Sequence, residues 1–403
     1  MSPNAPQAAR DTQSSSRMTL FSFAGAVTIS ASSSAPTPLY HLYQQAFHLS
    51  APMITMIFGA YAFALLASLL TFGALSDYLG RKPLILLSLI LNAAALAIFL
   101  AASSGETLIV ARVVQGLATG IAFPTFGATI LDTDRNRGPL LNSITAFLGL
   151  TIGSLAAGLL VSYAPLPLHL IYLVLMVATL IEILALAAMP ETVSPRAGAL
   201  AAMRPRLAVP RHALPMLIRV TPVNVASWAL GGFYLSLMPS LVGTAIGIAS
   251  PFVGAAVVAT LMLSATVSAI VSRKVAPRLA IARGSVILVG GVLVTLAGIG
   301  GEMVTALFAG TAIAGFGFGS IFGSILRLIL PMAEAHQRAG LFSAFLVESY
   351  LAFAIPAILA GMAAPGIGLS STAIVYGGAV VVLTLISLAA MRTGLTDGSA
   401  STR

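Results

Sequence analysis

Between two long apolar runs lies Gly73-Ala74-Leu75-Ser76-Asp77-Tyr78-Leu79-Gly80-Arg81-Lys82-Pro83. An acid, two bases and two glycines meet there at the mouth of an apolar segment, a place where charge is expensive and usually has a function. Other ionisable residues stand within apolar runs: Arg112 in Arg112-Val-Val-Gln115-Gly116, Glu348 in Phe345-Leu-Val-Glu348-Ser-Tyr350, and Glu182. A carboxyl at such a depth can exchange protons with one side and then the other if the chain around it rearranges. Glu348 is therefore the first candidate for a proton site, and a structural hydrogen bond to a neighbouring helix is its alternative. Cysteine is absent, there is no HExxH, and His41, His48 and His169 fall near segment ends. Neither a metal site nor a nucleophile with its base can be assembled from this set, so no metal and no cofactor are expected.

The elements that position these residues follow from composition. The chain has 403 residues, of which 58% are hydrophobic and 8% charged, with a mean hydropathy of +1.01. Water-soluble domains carry about 25% charged residues, so this is an integral membrane protein. Twelve apolar segments are long enough to cross a bilayer, given that roughly 20 helical residues span its core. They lie near 18–38, 50–75, 83–102, 106–131, 139–163, 167–189, 214–240, 246–272, 284–300, 303–330, 339–363 and 369–391. Barrel alternation is lacking and backbone in lipid must be internally bonded, so an all-α membrane protein is expected.

The net charge of +9 is a matter of topology rather than of nucleic-acid binding. Loop bases occur at Arg81 and Lys82, Arg135 and Arg137, the stretch from Arg196 to Arg211 that includes Arg204 and Arg206, the stretch from Arg273 to Arg283, and Arg338. All fall on one side of the twelve-span map, and the alternate loops hold no Lys or Arg. The positive-inside rule then makes both termini cytoplasmic, with Arg10 and Arg17 in the amino-terminal tail. The organisation expected is a tail over 1–17, a six-helix bundle over 18–189, a linker over 190–213, a second bundle over 214–391 and a tail over 392–403. Leu108, Gly116, Gly120 and Phe123 in the fourth span match Leu307, Gly315, Gly319 and Phe322 in the tenth at one constant offset, a mark of internal duplication.

The stretch from Gly73 to Lys82, in the slot between second and third spans, resembles the Gly-x-Leu-x-Asp-x-x-Gly-Arg-Lys signature of the major facilitator superfamily. Tyr78 stands where that family often has Arg, and the counterpart at Arg273 to Gly284 keeps bases without Asp-x-x-Gly-Arg. The Arg112 segment resembles the fourth-helix motif of the family's drug and proton antiporters. Gly149-Leu-Thr-Ile-Gly153-Ser154-Leu-Ala-Ala157-Gly158 resembles their fifth-helix motif, with Ser154 in place of the usual Pro and Ala157 in place of a Gly. The resemblance covers roughly Met18 to Met391. It implies twelve transmembrane helices in two pseudo-symmetric six-helix bundles, in a bacterial cytoplasmic (inner) membrane.

The resemblance also assigns expected roles. Asp77 would lie against the amino terminus of the eleventh helix, near Ala339, where the helix dipole favours an anion by about 0.3–1 kcal/mol. With Gly73 allowing close helix approach, Gly80 a positive φ and Arg81 bridging to Asp132 or Asp134, this makes a latch for the outward-open state. The plainer reading keeps Arg81 and Lys82 as topology determinants only. Arg112, Gln115, Asn224, Trp228, Tyr234 and Glu348 are the expected substrate and proton pathway. Snorkelling of Arg112 and interfacial anchoring by Trp228 are the alternatives. Gly149, Gly153 and Gly158 are expected at helix-packing contacts. The expected partners are a small-molecule substrate, protons and the lipid bilayer, with no nucleic acid, and the chain acts as a monomer. The function implied is proton-coupled efflux of a small amphipathic compound. Proton-coupled uptake of a metabolite is an alternative, and a receptor or intramembrane enzyme a distant one.

Overall fold

The computed structural model describes residues 5–400 apart from 206, 246, 248, 249, 335 and 336, with side chains described within 15–391 save also 245. Arg206 and the side chain of Arg10 thus lie outside the described residues. The first bundle contains α1 (Ala5–Ser34), α2 (Ala51–Phe72), α3 (Arg81–Leu100), α4 (Gly105–Thr133), α5 (Gly138–Tyr163) and α6 (Leu170–Leu186). The second contains α7 (Leu214–Ser236), α8 (Pro251–Ser272), α9 (Pro277–Gly300), α10 (Val304–Ile329), α11 (Arg338–Ile367) and α12 (Leu369–Ala400). Among the described residues nine of these helices are long and apolar enough to cross a membrane, and α7 makes a tenth by continuing through a 59° bend into Met238–Thr244. The other two are α6, which has 17 residues, and α1, whose first turns are polar.

Local chemistry sets the helix starts. Ser104 and Thr107 form a reciprocal capping box on α4, while Pro139, Pro215, Pro251 and Pro277 occupy first-turn positions where the missing N–H has no cost. Pro277 explains a difference from expectation: α9 begins there rather than near 284, so Arg278 and Arg283 lie on the helix and not in a loop. A second difference concerns residues 39–49, read as an outer loop. Tyr40–Phe47 form a short helix there, with Tyr40 and Tyr43 fully buried.

The two bundles repeat one arrangement. In the first, α1 packs on α4, α5 and α6, and α4 on α2 and α3; in the second, α7 packs on α10, α11 and α12, and α10 on α8 and α9. The four sequence matches occupy equivalent places. Gly116 and Gly120 press on α2 backbone at Tyr61 and Leu65, and Gly315 and Gly319 press on α8 backbone at Leu261 and Ala265. Leu108 and Leu307 are both fully buried, and Phe123 and Phe322 both face the space between the bundles. The bundles meet along two seams, α2 with α11 and α5 with α8.

The glycine contacts are testable. A methyl group at Gly315 would strike the Leu261 carbonyl, whereas at Gly290 nothing lies within 4 Å. Gly315→Ala is expected to lower the thermal midpoint by about 2–6 °C, reflecting roughly 1–3 kcal/mol of overpacking. Gly290→Ala should be neutral or stabilising by up to about 1 kcal/mol through helix propensity. Equal midpoints for both variants in detergent would contradict the packing assigned to Gly315.

Candidate functional site

Backbone approach between the bundles is closest at the end away from the linker. There Gly361 of α11 abuts the Thr55 side chain of α2, Gly59 abuts Ile358, and Gly158 abuts Ala255 of α8. Ser154 Oγ donates to the Ala255 carbonyl (3.2 Å) and the Phe252 N–H donates to Ser162 Oγ (3.1 Å). Thr37 Oγ1 donates to the Leu235 carbonyl at 3.0 Å. Gly149 and Gly153 play the same part within the first bundle, against Ser30 and Ala31 of α1. Gly149, Gly153 and Gly158 each face a neighbouring helix, and Ser154 supplies a cross-bundle hydrogen bond where the family pattern would have Pro.

Toward the linker end the bundles diverge around a cavity of about 680 Å³. It runs from Thr37, Tyr61 and Leu235 to a mouth that includes Asp77, Tyr78, Arg204 and Ala339. Two of these mouth residues, Asp77 and Arg204, are the charged groups among its lining. The middle of the wall is aromatic. Phe147 of α5 meets Phe318 of α10 edge-on across the cleft at 5.3 Å, and Phe58 of α2 meets Phe353 of α11 at 4.8 Å. Trp228 packs 5.1 Å from Tyr350 and 5.6 Å from Phe322, and its buried indole N–H has no hydrogen-bond acceptor among the described residues.

At the closed end Arg112 is 1% exposed, so it does not snorkel. One guanidinium nitrogen donates to the Ser33 carbonyl and to Gln115 Oε1, both at 2.8 Å, and the other to the Tyr40 hydroxyl. Gln115 Nε2 in turn donates to the Ser32 carbonyl at 2.8 Å. The guanidinium lies 5.3 Å from the Tyr61 ring centroid and 5.5 Å from that of Tyr40. Among the described residues it has no carboxylate partner, and Arg112 Nε is buried without an acceptor. A buried cation held only by neutral groups relies on these hydrogen bonds and ring contacts to offset its desolvation. Tyr40 was missed by sequence reasoning, because it sits in what reads as a loop.

The remaining expected pathway residues divide. Trp228 lines the cavity, but Asn224, Tyr234, Glu348, Arg112 and Gln115 stand one layer behind it. Tyr234 pairs with Thr311 at 2.9 Å. Glu348 joins α11 to α7: Thr221 Oγ1 donates to one carboxylate oxygen and Asn224 Nδ2 to the other, both at 2.9 Å. Because a hydroxyl can either donate or accept, Thr221 can satisfy Glu348 in both protonation states. Glu182 accepts from Thr28 at 2.6 Å and ties α6 to α1.

The 73–83 segment forms a compact network at the mouth. Arg81, 5% exposed, donates to Asp77 (2.5 Å), Ser76 (2.7 Å) and Asp132 (3.0 Å). Asp132 is thus the chosen partner, and Asp134 instead caps the turn at Asn136 and Arg137. Gly80 has φ +98°, as its position requires. With the mouth open, the closest atom to Gly73 from another helix is Pro124 Cγ, 3.9 Å from an ideal Cβ. Glu191, which sequence reasoning missed, accepts from the N–H groups of Arg81 (2.8 Å) and Lys82 (3.0 Å), satisfying the start of α3. Tyr78, the departure from the family pattern, has the Arg196 guanidinium stacked 4.6 Å over its ring, and its carbonyl accepts from the Arg196 N–H at 2.8 Å.

Two six-helix bundles of one design, sealed at one end and parted around a cavity at the other, define a two-bundle membrane carrier. The sequence profile of the Major Facilitator Superfamily matches residues 22–355, and the chain belongs to that family of transporters. Solved structures agree in fold. A mutant form of the nucleoside transporter NupG is 14% identical with a TM-score of 0.73, covering 93% of this chain and 99% of that one. A bacterial homologue of the human lysosomal transporter Spinster, in an inward-facing and unoccupied conformation, is 14% identical with a TM-score of 0.74, covering 95% and 98%. The human organic anion transporter MFSD10 (TETRAN) is 17% identical with a TM-score of 0.63, covering 93% and 99%. No curated protein matches the sequence.

Arg112 organises the closed end, and its removal is measurable. Arg112→Ala deprives Tyr40, Gln115 and the Ser33 carbonyl of their donor at a cost of roughly 2–5 kcal/mol, whereas Tyr40→Phe removes one acceptor for about 1 kcal/mol. Thermal unfolding of purified protein should rank wild type above Tyr40→Phe above Arg112→Ala. Wild-type stability in Arg112→Ala would refute the assignment.

Proposed function

We propose that the protein is a secondary active transporter working by alternating access, which exports a small amphipathic compound in exchange for protons. The single observation carrying this reading is the cavity between the bundles, with an aromatic middle and charge confined to its mouth. Such a wall favours a compound with an apolar or aromatic body, and the unpartnered indole N–H of Trp228 favours one bearing a hydrogen-bond acceptor. With the basic loops on the cytoplasmic side, the cavity faces the cytoplasm, where an exporter collects its cargo. The closed-end seam then separates it from the outside.

The mouth network is the proposed latch. Asp77 and Ala339, at the amino terminus of α11, face the same cavity mouth from opposite bundles. Closing the mouth would bring the Asp77 carboxylate to the first N–H groups of α11, a contact worth about 0.3–1 kcal/mol. In the arrangement described, Asp77 is held by Arg81 instead. Proton exchange is assigned to Glu348, whose carboxyl links α7 to α11 and whose protonation would alter that link during the cycle.

The test uses purified protein in proteoliposomes with an imposed pH gradient and a panel of cationic, neutral and anionic amphipathic compounds. Flux out of the cytoplasmic-facing compartment should follow the gradient, and Trp228→Ala should raise KM for the transported compound. Glu348→Gln should abolish the gradient dependence while leaving exchange down a substrate gradient. Uptake with the proton gradient would replace export with symport, and gradient-driven flux in Glu348→Gln would remove the proton site. For the latch, Asp77→Asn is expected to slow turnover about two- to fivefold, the rate equivalent of the dipole contact. An unchanged rate would leave the 73–83 network as a purely structural feature.

A further inference from the structure

A second cavity, of about 590 Å³, lies outside the transport path between α7, α9 and α12 of the second bundle, at the linker end. Its walls are apolar, including Val286 and Ile287 of α9 and Leu388 of α12, and Arg219, Arg278 and Arg283 rim it. The three arginines come from two helices distant in sequence. Arg278 and Arg283 lie in the first two turns of α9, and Arg219 is five residues into α7. At about 1.5 Å per residue this places all three within roughly 10 Å of the helix starts, at headgroup depth.

These three arginines are set apart by sharing one apolar cleft. Arg81, at the start of α3, has two carboxylate partners. Arg278 holds the equivalent place at the start of α9, and the Asp-x-x-Gly-Arg pattern is absent there. Among the described residues none of the three guanidinium groups in the cleft has a hydrogen bond or ion pair, and no acidic residue lines it. Three unneutralised guanidinium groups beside a narrow apolar slot match one amphiphile: a phosphodiester with an attached acyl chain.

We propose that this cleft holds an anionic phospholipid from the basic-side leaflet, its phosphate among Arg219, Arg278 and Arg283 and an acyl chain along Val286, Ile287 and Leu388. A bound lipid there would contact α7 and α12 at once and brace the outer face of the second bundle. The assignment depends on no particular transport substrate, direction or coupling ion.

Native mass spectrometry of the detergent-purified full chain tests it, with phosphatidylglycerol, phosphatidylcholine of the same acyl chains, and inorganic phosphate as probes. Wild type should retain phosphatidylglycerol at least about tenfold more tightly than phosphatidylcholine, as expected for several basic contacts. Excess inorganic phosphate should not displace it. The preference should vanish in Arg219→Gln/Arg278→Gln/Arg283→Gln and persist in the control Arg135→Gln/Arg137→Gln, which removes two bases from another loop. If the triple variant does not purify, Arg278→Gln alone should reduce the preference about fivefold. Equal retention of both lipids by wild type, loss of preference in the control, or displacement by phosphate alone would each overturn the proposal.

Discussion

The structure depends on a contact in which glycines of each bundle press on residues of the other at one end only. In lipid there is no hydrophobic force between helices, so association rests on close packing and hydrogen bonds, both of which need small residues at the interface. Gly59, Gly361 and Gly158 provide the approach, and Ser154, Ser162 and Thr37 add hydrogen bonds across it. The seams are made by α2 and α5 of the first bundle and α8 and α11 of the second, and Thr37 adds a link from the chain after α1 to α7. Beyond this contact the same four helices diverge and, together with α1, α4, α7 and α10, become the cavity walls.

That geometry assigns work to the polar residues. Near the seam, Arg112 holds the end of α1 and the buried start of Tyr40–Phe47 together through Ser33, Gln115 and Tyr40. At the open mouth, Arg81 is satisfied within the first bundle by Ser76, Asp77 and Asp132, and Glu191 of the linker accepts from the backbone N–H groups at the start of α3. The linker runs past this network, stacking Arg196 on Tyr78, and then reaches the second bundle, where the Ala208 N–H points to the Gly340 carbonyl at 3.5 Å. The bundles are thus joined by chain at the end where they are parted in space. Glu348 sits on the α7–α11 joint rather than on the cavity wall.

Much of this was legible in the sequence because lipid enforces simple rules. Span number and the duplicated halves follow from apolar length and from glycines whose role is backbone contact: Gly116 and Gly315 have the same neighbour helix in each half. The cost of a buried charge singled out Arg112, Glu348 and the Asp77–Arg81 pair. What escaped depends on partners supplied by distant chain. Tyr40 is buried because the 37–47 segment folds back over the closed end, which hydropathy reads as a loop. Glu191 looks like one more linker charge until the start of α3 lies beneath it. Arg278 and Arg283 read as loop residues in the sequence, although arginines in the first turns of a membrane helix can reach the headgroup layer.

Alternating access requires that the bundles rock about the binding cavity, so that opening at one end accompanies closure at the other. Absence of native cysteine makes paired spin labels specific. One pair, Leu79→Cys with Ala339→Cys, reports the linker end, and Ser103→Cys with Met303→Cys reports the opposite end. Double electron–electron resonance in lipid, with and without a transported compound and across a pH range, measures both distances. Rocking predicts populations in which the linker-end distance shortens as the opposite-end distance lengthens. Distances that stay fixed at both ends, or that change in the same direction, would contradict it.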